Sequence, residues 1–406
     1  PGRLNNCDPA PALTGEAHSL GVAFLADQAV QLLKNSPNKV VGGEKSLGDD
    51  AHLAFVIASI LHDCGHGPLG HTMDLVRRHM SRQGGHEQDS MAIFNLAAGG
   101  RSFADLHVAL DDIGVARALV RSILRGEHPL APLLSNPAID IDRLDFLMRD
   151  GYNTICSLQG NDATQKHSAT VRKLAQSYES LLEAMAIRRD AGNGKLLLGF
   201  SGDVREWVRE VAELYCFMYT EVYQCWQNCA AQSMIAIGIE EVLRSGRYNW
   251  YDVLRLTDVE LFAALEEFEN PLVCELAYLV KYRRLLEFAG EFRFEGELRA
   301  GEEEVLRRCS MPSPHDVIQS RDSTSPLVVP LYLKQKGFRA RFVKADVLFD
   351  REDCNLGDEE VLATTPGRLM LFCWPGTSLF SSDEVEQLKS VLEEEGCSHV
   401  KYVRHQ

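Results

Sequence analysis

A nearly unbroken apolar stretch at residues 51–61 runs straight into His62-Asp63-Cys64-Gly65-His66-Gly67-Pro68-Leu69-Gly70-His71. A helix apolar on every side is a buried one, so this segment must carry His62 and Asp63 into the interior. A buried carboxylate beside a buried imidazole needs a partner, because an unpaired charge is costly away from water. A divalent cation supplies that partner. Gly65 and Gly67 do not belong inside a helix and Pro68 can open the next one, so His66 and His71 flank a bend. Seven of the thirteen histidines fall between residues 18 and 86, which strengthens the case for a site there. His52 and His79, outside this run, read as ordinary core or surface histidines.

From residue 18 to about residue 290 the apolar periodicity is helical. Residues 18–33, 50–61, 89–98, 115–124, 142–150, 168–188 and 204–244 each read as a helix, separated by Ser36-Pro37-Asn38, Gly84-Gly85, Gly99-Gly100 and Gly192-Asn193-Gly194. Beyond about residue 300 the pattern changes. Residues 325–333, 341–348 and 368–373 are short β-branched or aromatic runs and read as strands. An amphipathic helix at 382–395, capped by Ser382, and a last strand at 399–403 follow. The expected fold class is mainly α, with an irregular segment at 1–17, a helical region at 18–300 and a small α+β lobe at 301–406.

A net charge of −16 argues against a general nucleic-acid coat, since phosphate backbones are bound by Lys and Arg. The eleven cysteines form no Cys-x-x-Cys pair, so neither a disulfide framework nor a zinc ribbon is suggested and a reducing compartment is expected. No run reaches the roughly 18 apolar residues of a membrane span, so no membrane partner is expected. The expected location is intracellular, cytoplasmic or nuclear. Because the chain starts at Pro1, a removed organellar targeting segment stays open.

A metal needs more ligands than His62 and Asp63, and two segments offer them. Glu16-Ala17-His18-Ser19-Leu20-Gly21 opens one helix, and Ile139-Asp140-Ile141-Asp142-Arg143-Leu144-Asp145 opens another. In the second, Ile141, Leu144, Leu147 and Met148 form the apolar stripe. Asp142 borders that stripe and is favoured over Asp140 as the inward carboxylate. Asp145 reads as well as a solvated carboxylate of the first helical turn.

Taken in order, these segments resemble the H…HD…D signature of HD-domain metal-dependent phosphohydrolases. The resemblance narrows with His62-Asp63-x-Gly65-His66-Gly67-Pro68-x-x-His71, His86-Glu87-Gln88, Asp140-x-Asp142-Arg143-x-Asp145-Phe146-x-x-Arg149-Asp150 and, more weakly, Met218-Tyr219-x-x-Val222-Tyr223. It is closest to the branch that holds the sterile-alpha-motif-and-HD-domain deoxynucleoside triphosphate triphosphohydrolase and its bacterial dGTPase-like relatives. It runs from about residue 18 to residue 234.

The resemblance implies an HD-domain helical bundle in which His18, His62, Asp63 and Asp142 hold one divalent metal ion. Mn, Fe, Mg and Zn all suit mixed nitrogen and oxygen ligands. It implies hydrolysis of deoxynucleoside triphosphates to deoxynucleoside and inorganic triphosphate. His71 would act as general acid, with His86 and Asp74 orienting the catalytic group, Glu87 supporting His86 and His66 donating to a phosphate oxygen. Arg143 would contact phosphate, Asp150 would accept from the sugar 3′ hydroxyl, and Phe146 and Tyr223 would pack on the sugar. The alternatives are a phosphohydrolase of nucleoside monophosphates or another phosphoester, and a nucleotide-binding scaffold with little turnover. A homo-oligomer, dimer or higher, is implied.

The chain also departs from the family. Gly15 stands where a basic residue is usual, and residues 5–11 replace a segment that in relatives helps read the deoxyribose. Cys225-Trp226 replaces His and Lys after Tyr223, and residues 374–382 carry no Lys or Arg. A nucleotide-activated tetramer of the regulated kind is therefore not expected.

Overall fold

The computed structural model describes residues 15–82, 86–95, 104–136, 139–157, 162–190, 193–299, 301–309, 311, 313–320, 327–342, 358–374 and 380–404. It is mainly helical, with a small sheet-containing region toward the C-terminus. In chain order the first helices are α1 (Gly15–Lys34), α2 (Asp49–Leu61), α3 (Thr72–His79), α4 (His86–Asn95), α5 (Ala104–Asp112), α6 (Arg117–Leu124), α7 (Ala131–Leu134), α8 (Ile141–Asn153) and α9 (Asp162–Ala184). A hairpin of β1 (Met185–Arg189) and β2 (Leu196–Phe200) leads to α10 (Arg205–Phe217), a π-turn at Met218–Tyr223, and α11 (Trp226–Arg244). Then come α12 (Trp250–Leu254), α13 (Asp258–Glu266), α14 (Pro271–Lys281), β3 (Glu287–Glu295), α15 (Glu302–Arg308) and α16 (Pro314–Ser320). The chain closes with β4 (Val328–Leu333), β5 (Gly337–Arg341), β6 (Glu359–Thr364), β7 (Gly367–Cys373), α17 (Ser382–Glu394) and β8 (Ser398–Arg404).

These elements divide into two compact units that do not follow chain order. The first takes the described residues of Pro1–Gly65, His86–Val222 and Gly337–Ala363. The second takes those of His66–Gly85, Tyr223–Lys336 and Thr364–Gln406.

In the first unit α1 buries Val22, Leu25, Ala26, Ala29, Val30 and Leu33, the three-four spacing of one helix face. That face packs on α2, α8 and α9, and α2 packs in turn on α6. Asp140 caps α8 by accepting the Arg143 backbone N–H at 2.8 Å. The helix expected at 168–188 ends instead at Ala184. Residues 185–188 are buried one after another and pair antiparallel with β2, from Met185↔Phe200 to Arg189↔Leu196. The helix expected at 204–244 is likewise two helices, parted by the π-turn.

In the second unit a four-stranded antiparallel sheet has the order β4-β7-β3-β8. Central β7 is buried along its length, and its side chains alternate between two cores. Met370 and Phe372 face a core shared with α3, α11, α13, α14 and α16. Leu369, Leu371 and Cys373 face a second core closed by α15 and α17. Pro330 is accommodated because β4 is an edge strand. Strand β3 lies inside the stretch read from periodicity as helical or undefined. The expected strand at 341–348 falls mostly outside the described residues, and β5 ends at Arg341. The cap of α17 is Ser381, one residue before the expected Ser382, because its hydroxyl accepts from Glu384 N–H while Glu384 reaches back.

His79, expected to be unremarkable, sits in a buried charge network of the second unit. Its Nδ1 donates to Glu240 Oε1 at 2.8 Å, and its Nε2 lies 3.5 Å from Glu302 Oε1. His315 joins Glu240 Oε2 and Glu241 Oε1, both at 2.6 Å. Arg244 and Arg78 complete the balance on Glu240, Glu241 and Glu302. Burial disfavours both imidazolium ions, but the hydrogen bonds to the glutamates outweigh it and hold His79 and His315 up at about 9. Burial likewise raises Glu302, and His79 with Arg78 outweighs it, holding the carboxyl down at about 2.

The sign follows by linkage. The histidine contribution is full below the unfolded value of 6.5 and is lost as pH rises through about 9. The Glu302 contribution is full above its unfolded 4.5 and is lost as pH falls toward about 2. The network therefore stabilises most between these unfolded values. The melting temperature of the full chain is expected to fall between pH 6.5 and 9, with the fall reduced in a His315→Gln variant. Identical pH profiles for the two proteins would remove the network from the stability of the fold.

Candidate metal centre

Three helices of the first unit bring four side chains together. His18 stands near the start of α1, His62 and Asp63 follow the last turn of α2, and Asp142 lies in the first turn of α8. One ligand atom from each lies within 4.8 Å of all the others. His18 Nε2 is 3.0 Å from Asp142 Oδ1 and 3.4 Å from Asp63 Oδ2. His62 Nε2 is 3.3 Å from Asp63 Oδ1 and 3.7 Å from Asp142 Oδ1. The two imidazoles meet edge to face, with centroids 5.5 Å apart.

The other ring nitrogens are occupied by the protein. His62 Nδ1 donates to the Ser59 carbonyl at 2.8 Å, and His18 Nδ1 donates to Asp145 Oδ2 at 2.8 Å. Each imidazole therefore turns its Nε2 to the cluster, as metal-binding histidines do when a second group fixes the tautomer. His62 Nε2 is buried, with no hydrogen-bond partner among the described residues. Two such nitrogens and two carboxylates are a fitting donor set for a divalent cation, with no choice among Mn, Fe, Mg and Zn.

The electrostatics point the same way. Burial opposes charge on His18, but its hydrogen bonds to Asp142, Asp145 and Asp63 outweigh it and lift the imidazole to about 11. His62 is raised too, against its burial, by Asp142 and Asp63. Burial pushes the Asp142 carboxyl up, and the two histidines override it and hold it well below the usual carboxylate range. The pocket has an excess of negative charge that protons or a cation must balance. Cation binding there would release protons.

The turn after Asp63 is held by a residue that the sequence does not single out. Ser90 Oγ of α4 donates to the His62 carbonyl at 2.7 Å and accepts the Gly65 N–H at 2.8 Å. Asp140, the competing carboxylate, is committed elsewhere. It is 1% exposed, accepts the backbone N–H groups of Asn136 and Arg143 at 2.8 Å, and pairs with the Arg143 guanidinium. Asp145 is not the solvated carboxylate of the alternative reading. It is 5% exposed and paired with both His18 and Arg149. An acid and a base four residues apart on one helix are the signal that could have drawn attention to this pair.

Arg143 donates through Nη1 to Asp140 and to the Asn136 carbonyl, and its guanidinium lies 5.7 Å from the Tyr215 ring centroid. Phe146 is half-buried, 6.3 Å from the same ring. Asp150 is half-buried on α8, and Tyr223 ends the π-turn and belongs to the second unit.

His66, His71 and Asp74 also belong to the second unit and form a group of their own, with potential ligand atoms within 4.8 Å of one another. His71 Nδ1 is 2.9 Å from Asp74 Oδ2, and the His66 and His71 rings stand edge to face at 4.8 Å. The His71 side chain is 70% exposed. Leu69 and Gly70 just before it both take left-handed backbone, with φ of 58° and 55°. The Leu69 N–H is held by Asp258 Oδ1 at 2.8 Å. The side chains of His86 and Glu87, and residues 5–11 and 375–379, lie outside the described residues.

No helix among the described residues is long and apolar enough to cross a membrane. No family model matches the chain. Over 156 residues, 35% of this chain and 28% of the relative, it is 26% identical to the deoxynucleoside triphosphate triphosphohydrolase SAMHD1 homolog of Dictyostelium discoideum. Over 284 residues, 69% of this chain and 51% of the relative, it is 21% identical to an uncharacterized protein of Methanocaldococcus jannaschii. The chain thus spans about half or less of the length of the curated relatives it matches, and its similarity to a triphosphohydrolase is distant and partial.

Proposed function

We propose that the chain is an HD-type metal-dependent phosphohydrolase that splits deoxynucleoside triphosphates into deoxynucleoside and inorganic triphosphate. The convergence of His18, His62, Asp63 and Asp142 within 4.8 Å carries the reading. The partial similarity to a relative named for that activity supports the substrate class. A divalent cation bound by these four residues would supply positive charge for phosphate oxygens and acidify water toward neutral pH.

The chain's own residues would do the rest. His71, whose Nδ1 is engaged by Asp74, would present its Nε2–H to the 5′ oxygen of the departing nucleoside. His66 would donate to a phosphate oxygen, while His86 with Glu87 would orient the catalytic group. Arg143, tied through Nη1 to Asp140, would offer its remaining N–H groups to phosphate. Asp150 would accept from the 3′ hydroxyl, and Phe146 and Tyr223 would pack on the sugar. An aromatic wall there would crowd a 2′ hydroxyl and favour deoxyribose.

Purified protein loaded with Mn, Fe, Mg or Co is expected to release triphosphate from at least one of the four dNTPs, resolved by ion-exchange chromatography. Release of orthophosphate from a nucleoside monophosphate instead would move the substrate to another phosphoester. Absence of any released phosphate species with all four metals would refute the hydrolase reading.

A further inference from the structure

His18 is held from behind as carefully as it is aimed. Its Nδ1 meets Asp145 Oδ2 at 2.8 Å, and Asp145 is gripped in turn by Arg149, whose Nε reaches Oδ2 at 3.0 Å and Nη2 reaches Oδ1 at 2.7 Å. An imidazole that ligates a cation through Nε2 keeps its single proton on Nδ1, the nitrogen that Asp145 engages, and the Nε2 of His18 faces Asp63 and Asp142.

A second, independent observation concerns α1 itself. Gly21 follows His18 by three residues and faces the same ion pair. A Cβ at Gly21 would overlap Asp145 Oδ1 and Arg149 Nη2 and lie 2.7 Å from Asp145 Cγ. The missing side chain makes the slot in which the pair lies flat against α1.

We propose that Gly21, Asp145 and Arg149 are positioning residues that fix the tautomer and tilt of His18 for a divalent cation. The proposal rests on the metal-centre reading above. An ordinary staple between α1 and α8 would use the same ion pair, but it would have no reason to engage the imidazole nitrogen opposite the cluster. Partners of this kind typically change metal affinity by about 10- to 100-fold.

The test is titration of the full chain with Co²⁺ alone, followed by its visible absorption, beside far-UV circular dichroism of each protein. The unaltered chain is expected to bind one Co²⁺. Asp145→Ala and Gly21→Ala are each expected to weaken that binding by about 10- to 100-fold and to alter the band shape. Asp145→Asn, whose amide oxygen still accepts from Nδ1, should keep more of the affinity than Asp145→Ala. Gly21→Ala is the sharper probe, because Ala favours a helix over Gly and a weakened site cannot then be blamed on a weakened α1. Arg149→Met provides a variant distant from the His18 ring should Asp145→Ala fail to fold, and it too should bind more weakly. Co²⁺ affinity and spectrum unchanged in Gly21→Ala and Arg149→Met would overturn the positioning role while leaving the metal centre standing. Failure of the unaltered chain to bind Co²⁺ would overturn the metal-centre reading and this inference with it.

Discussion

An Asp142→Ala protein is expected to lose its bound metal and all phosphohydrolase activity while keeping its helical circular dichroism. Asp142 Oδ1 is the oxygen shared between the two imidazoles, 3.0 Å from His18 Nε2 and 3.7 Å from His62 Nε2. Its loss leaves three donors and removes half of the carboxylate charge facing those nitrogens. The fall in affinity should exceed the roughly 100-fold that loss of a mere supporting partner causes. The fold should tolerate the change, because the Asp142 side chain is 31% exposed and α8 is capped by Asp140.

Asp140→Ala is the mirror experiment. It leaves the half-buried Arg143 guanidinium without its carboxylate and α8 without its cap, so it should cost about 2 kcal/mol or more of stability. Its metal content should stay near that of the unaltered chain. Elemental analysis after dialysis, combined with urea unfolding, reads both effects. An Asp142→Ala protein that retains its metal would show that the cluster is not the binding site.

The second large effect is expected at His71. With 70% of its side chain exposed, its removal opens no cavity, so His71→Ala should fold and retain metal like the unaltered chain. Turnover should nevertheless fall by about 100-fold or more, the range that a positioned acid contributes. Asp74→Asn keeps a hydrogen-bond acceptor for Nδ1, so it should lower kcat less than His71→Ala does. Rates are compared at equal metal content, so that a change in the chemical step is not mistaken for a change in occupancy. A turnover equal to that of the unaltered chain in His71→Ala would take this imidazole out of the mechanism.

The parts of this site legible in the sequence are those encoded by short spacings. An apolar helix that stops at His62-Asp63 announces a polar pair carried inward, half-buried in the structure, and the stripe on α8 separates Asp142 from its neighbours. The geometry around Asp145 was not legible in that way. An acid four residues before a base is equally common on exposed helix faces. What buries this pair is the crossing of α1 at Gly21, more than a hundred residues away in sequence. Ser90 carries no local signal at all, because its partners His62 and Gly65 lie across the chain on another element.

The same limit explains the fold. Most helices of ten or more residues declare themselves by periodicity, α14 excepted, whereas β1 and β3 depend on partners: β1 pairs with β2, and β3 lies between β7 and β8. Without those partners, residues 185–188 read as the last turn of a helix. The strand at β7 is visible because burial on both faces leaves an uninterrupted apolar run.

Asp142 and Asp145 leave consecutive turns of α8 and grip opposite edges of one imidazole on α1. A slight slide of either helix along its axis would therefore lengthen one contact while loosening the other. Warming the cation-loaded protein should let the ion escape into a chelating dye at temperatures where the backbone amide signal is still native, so that demetallation precedes melting.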